Sequence, residues 1–164
     1  MRVLVSSRIF ICFVIFLLCV IPLSGIAGTL CEGSKATLDC LKQNSFELYS
    51  TNPELFWSIL NQAADKAANC ENPSDTVRFL QLVQIPLDGA LSEFYSEKIE
   101  NLCLNKPKCF LNAMVSLEKG ERIANIKRLR TPLVTDPKDI RRVFEEHKKN
   151  KKYKEIVDLY LNPE

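Results

Sequence analysis

Glycine is scarce, five residues in 164, and neither G-x-x-x-x-G-K-[ST] nor G-x-G-x-x-G occurs, so no backbone cradle for a phosphate group is encoded. Histidine is scarcer. The single His147 sits in Glu-Glu-His-Lys-Lys, with no H-E-x-x-H and no C-x2-C pair elsewhere, which removes the ligand spacing of a zinc site. The nucleophile elbow G-x-S-x-G is also missing. These absences leave no catalytic residue, no metal ligand and no cofactor motif to name. No segment alternates apolar and polar residues long enough to make a strand. No Asn heads an open glycosylation sequon, because Pro73 blocks the one at Asn72, and this favours a bacterial periplasm over a eukaryotic secretory route. Net charge is nearly absent too: 22 basic residues face 20 acidic ones, and Arg2 and Arg8 lie in the leader described next. A neutral chain lacks the net-basic footprint of a nucleic-acid binder.

What is present begins with that leader. Arg2 and Arg8 introduce an unbroken apolar run from Ile9 to Ile21, followed by Pro22 and small residues as far as Gly28. This is the order of a signal peptide. As a helix the run extends about 20 Å, short of a hydrocarbon core of about 30 Å, so no stable membrane span is expected. Gly25 and Ala27 satisfy the small −3 and −1 subsites, placing cleavage before Gly28. Residues 1–27 are therefore expected to be removed. The remainder, 28–164, has the length of a single domain in the periplasm or outside the cell.

Five cysteines survive that cut: Cys31, Cys40, Cys70, Cys103 and Cys109. In an oxidising compartment such residues pair as structural disulfides and an odd one is left over. Cys103 and Cys109 flank Leu-Asn-Lys-Pro-Lys, read as a turn between two helices, so a Cys103–Cys109 bond is expected first. If helices at about 34–50 and 53–69 form a hairpin turning at Thr51-Asn52, Cys31 faces Cys70. Cys40 is then the unpaired thiol, packed as a small hydrophobe, with Cys40–Cys70 the alternative bond.

Helix starts recur in one form. Asn52-Pro53, Asn72-Pro73 and Asp136-Pro137 each put a side-chain acceptor at the cap and proline at the first helical position. Asp75 and Asp139 add carboxylates to first turns, where the helix dipole favours them. Apolar residues then recur three and four apart: Leu55, Ile59, Leu60; Leu91, Phe94, Tyr95, Ile99, Leu102; Phe110, Ala113, Met114; Ile123, Ile126, Leu129; Ile140, Val143, Phe144; Ile156, Leu159, Tyr160. The pattern predicts an all-α domain: seven to eight short helices in antiparallel hairpins, forming a stack or compact bundle stabilised by disulfides. A stack would be loosely like HEAT or tetratricopeptide arrays in architecture, but no internal repeat recurs at a fixed interval.

Charge is distributed unevenly. From Lys119 to Lys154 about thirteen basic side chains meet about five acidic ones, whereas Gly28 to Glu118 carries about seven against twelve. Lys148, Lys149, Lys151 and Lys152 concentrate this excess and are the expected docking residues for a protein partner with an acidic surface. The bland reading of the same lysines is a solvated helix end. Glu93, Glu97 and Glu100 could stand as paired carboxylates for hydrolysis, but they read as the water-facing side of their helix. Trp57 reads as a core anchor, and a leftover thiol with His147 as an unrelated pair. The expected function is a non-catalytic exported interaction module of adaptor, inhibitor or immunity type. The rivals are an envelope hydrolase using scattered carboxylates and a protein held on a lipid or polyanion surface by the basic segment.

Overall fold

A computed structural model describes residues 31, 33, 37–86 and 89–162; the expected signal peptide, residues 1–27, and the expected cleavage before Gly28 lie outside them. The described residues form nine α-helices and no strand: α1 Leu38–Gln43, α2 Ser45–Thr51, α3 Pro53–Asn69, α4 Pro73–Leu80, α5 Gly89–Asn105, α6 Pro107–Ser116, α7 Lys119–Arg130, α8 Pro137–Glu146 and α9 Lys154–Leu161. Short 3-10 turns at Gln81–Gln84 and Lys151–Tyr153 follow α4 and precede α9.

The proline starts work as their chemistry requires. Asn52 Oδ1 accepts the Leu55 N–H at 3.1 Å, Asn72 Oδ1 that of Ser74 at 3.1 Å, and Asp136 Oδ1 that of Lys138 at 2.8 Å. Each side chain thus satisfies an amide that has no partner within its helix. The single helix expected over 34–50 is instead broken between α1 and α2. At Asn44 the backbone leaves helical geometry while the side-chain amide donates to the Cys40 carbonyl at 3.0 Å. A local side-chain bond of this kind competes with continued helix.

The helices make a compact bundle. A linear stack would join only sequence neighbours, but α4 also packs on α6, α5 on α8, and α6 on α9. Helix α5 touches α3, α6, α7 and α8 and so runs through the centre. Phe56, Phe79, Tyr95, Phe110 and Phe144 are the largest fully buried side chains. Trp57, half-buried, packs edge-on against Tyr49, Phe56 and Phe94.

Two disulfides hold this bundle, and their pairing corrects the expectation. Cys31 bonds Cys40, and Cys70 bonds Cys109 with Cα atoms 6.2 Å apart; Cys103 keeps its thiol, fully buried. The Cys103–Cys109 bond fails because no loop separates those residues. Helix α5 continues to Asn105 and α6 starts at Pro107, so Cys103 is fixed on the inward face of one helix and Cys109 in the first turn of the next. Cys109 Sγ lies 3.5 Å from Thr76 Oγ1 of α4, facing the end of α3. The Cys31–Cys70 pairing fails because the break at Asn44 destroys the long hairpin register it assumed. Cys40 is therefore bonded and not free. Cys70 ends α3 in the left-handed region, φ 59°, where glycine is the usual occupant. A thiol is needed at this turn, and the strained backbone accompanies it.

Candidate functional site

The basic cluster sits where α8 ends and the chain turns into α9. His147 closes α8, its Nδ1–H donating to the Val143 carbonyl at 2.9 Å, and Asn150 then caps the 3-10 turn by accepting the Lys152 N–H at 3.0 Å. Tyr153 is buried and points its hydroxyl at α6, donating to Asn112 Oδ1 at 2.9 Å. Lys152 reaches the same oxygen at 2.6 Å and lies over the Tyr153 ring. The turn carrying the lysines is thereby fastened to a neighbouring helix. Lys148, Lys149, Lys151, Lys152 and Lys154 are all exposed, and none has a carboxylate within ion-pair range among the described residues. Lys108, also exposed, stands four residues before Asn112 and hence on the same face of α6. The basic surface therefore extends from the turn onto α6, which the sequence could not indicate because the two segments are some 40 positions apart.

The other candidates do not converge. Glu93 is exposed, and Glu97 pairs with its neighbour Lys98 at 3.1 Å. Glu100 departs from the water-facing reading: it is 1% exposed. Its Oε1 accepts the Leu133 N–H at 2.7 Å, and Oε2 accepts the Val134 N–H, the Thr135 N–H and the Thr135 hydroxyl, each at 3.0 Å. All its acceptor capacity goes to the loop between α7 and α8. A second buried polar group joins Tyr95 and Asn125. The Asn125 amide donates to the carbonyls of Leu80 at 3.1 Å and Glu121 at 2.9 Å, which orients its Oδ1 to the Tyr95 hydroxyl at 2.7 Å. Burial holds the Tyr95 hydroxyl well above the usual tyrosine range and so protonated.

Among the described residues the thiol left over belongs to Cys103, not Cys40. Burial pushes it up to about 12, so at neutral pH it is a thiol packed in the core, not a thiolate. No hydrogen bond joins it to His147. Among the described residues no group of three His, Cys, Asp or Glu side chains has the arrangement to hold a metal ion, and no helix is long and apolar enough to cross a membrane. The chain matches no protein-family model, no curated protein and no solved structure.

Proposed function

We propose that this chain is an exported, non-catalytic interaction module that uses its basic C-terminal turn to dock on the acidic surface of a partner protein. One observation carries the reading: five lysines between Lys148 and Lys154 stand exposed, with no carboxylate in ion-pair range among the described residues, on or beside a turn that Tyr153 and Lys152 tie to α6. A solvated helix end needs no such fastening, whereas a fixed array of cations presents one charge pattern and loses less entropy on docking. The two disulfides support an oxidising compartment. The carboxylates a hydrolase would need are dispersed between solvent, a lysine and a structural loop.

Exposed charges act mainly on association rate and its salt dependence. Cross-linking in the native envelope fraction, followed by mass spectrometry, should identify an acidic partner of the wild-type protein. Replacing Lys148, Lys149 and Lys151 by Ser, which leaves the Lys152–Asn112 bond in place, should then slow capture of that partner about tenfold at low ionic strength, with helical content and Tm unchanged. Equal capture rates would leave the lysines as a solvated helix end. Binding to anionic vesicles in place of any protein would transfer the role to a lipid surface.

A further inference from the structure

A buried carboxylate is an expensive way to hold a connector. Glu100 nevertheless fixes three consecutive backbone amides of the 131–136 loop, and the side chains so displayed are apolar and point outward: Leu133 is 58% and Val134 59% exposed. Pro132 and Pro137 stiffen the loop at either end. The result is a rigid projection with a hydrophobic tip. Elsewhere the molecule carries an apolar recess. A cavity of about 450 Å³, almost wholly apolar, is lined by Phe46, Tyr49, Phe56, Ile85, Pro86 and Leu91, and Phe46 at its edge is 87% exposed.

These two features are set apart along and around α5. Leu91 at the cavity and Glu100 under the loop are nine residues apart on α5, which is about 13 Å along the helix and half a turn around it. With its amides bound to Glu100, the loop has no route to the cavity of its own chain. Charge follows the same polarity. Glu47 stands exposed next to Phe46 in the acidic part of the chain, while Lys127 and Lys138 stand exposed on either side of the loop in the basic part and outnumber the loop's own Asp136, whose Oδ1 accepts the Lys138 N–H; among the described residues none of Glu47, Lys127 and Lys138 has an ion pair.

We propose that the protein associates head to tail with a second copy of itself, Leu133 and Val134 of one molecule entering the Phe46 cavity of the next. The contact is heterologous, so a single pair leaves one loop and one cavity open and further copies can add. It is small, and association is correspondingly weak. This inference goes beyond the docking role of Lys148 to Lys154 and does not depend on it, since those lysines stay intact in every variant below.

Sedimentation equilibrium of the purified exported protein tests it. The wild-type mass should rise above the monomer, and continue past the dimer, as concentration is raised to about 0.5 mM. Phe46→Ser and the double variant Leu133→Ser/Val134→Ser should each stay monomeric with unchanged circular dichroism. An equimolar mixture of the two should recover association and stop at the dimer, because one partner retains a sound loop and the other a sound cavity. A wild-type mass fixed at the monomer overturns the proposal. So does association that survives either substitution, or a mixture that stays monomeric.

Discussion

At the scale of the residue, two buried ionisable groups are held in their neutral forms, and this has a pH signature. Cys103 is pushed up to about 12 by burial, and Tyr95 is raised beyond the tyrosine range by the same cause. In the unfolded chain both lose their protons at ordinary values, so above about pH 9 the folded state binds more protons than the unfolded one. Their contribution is fully present below pH 9 and is lost as pH climbs toward 12. The expected loss from Cys103 alone is about 1.4 kcal/mol per pH unit in that window. Urea unfolding at pH 8, 9.5 and 10.5 should show the decline, and Cys103→Ala should flatten it between pH 9 and 10. A variant whose stability falls as steeply as the wild type would assign the slope elsewhere. Neither residue announces this in sequence: Tyr95 and Cys103 fall on an apolar stripe that is plainly legible, but the depth of burial depends on helices that pack from far along the chain.

Elements were legible where their signals act over two or three residues. Asn52, Asn72 and Asp136 bond to amides that close, so helix starts follow directly from local composition. The α1–α2 break was not legible, because Asn in mid-pattern marks a cap or a surface position with equal ease until its bond to the Cys40 carbonyl is seen. The α7–α8 loop was hidden for a different reason: its anchor, Glu100, lies 33 to 35 residues earlier and looks in sequence like any solvent-facing carboxylate. That anchor sets a prediction for the element. Glu100→Gln keeps the shape but removes the charge and turns an amide toward backbone donors, at a cost of about 2–4 kcal/mol. Hydrogen exchange at Leu133, Val134 and Thr135 should quicken sharply while amides within α5 and α7 stay protected. Uniform quickening throughout the domain would show that Glu100 supports the bundle generally and not this loop.

For the whole molecule, apolar periodicity and short connections point to an all-α domain, a stack or a compact bundle, and the cysteine count to disulfides, with nine helices described where seven or eight are expected. What decides a bundle over a stack is contact between distant helices, α5 with α8 and α6 with α9, and periodicity within each helix contains no information about which neighbour covers it. The cysteines show the same division. Cys70–Cys109 spans 39 positions and joins the end of α3 to the start of α6, a proximity that exists only once α4 has packed between them.

The unpaired Cys103 then acquires a kinetic meaning. In a reduced, unfolded chain it lies 109 − 103 = 6 positions from Cys109, whereas the native partner Cys70 lies 39 away. Loop-closure entropy favours the nearer encounter by about fifteenfold. Cys103 is thus a decoy during reoxidation, and the bond that local spacing makes attractive to a reader of the sequence is also the one that chance makes attractive to the chain. Once formed, it pulls Cys103 away from the core and blocks the pairing that fastens α3 to α6. Refolding with oxygen alone should accumulate a Cys103–Cys109 species visible in non-reducing peptide maps. A disulfide isomerase or Cys103→Ala should raise the native yield, and an unchanged yield in that variant would show that helix packing shields Cys103 before any sulfur reacts.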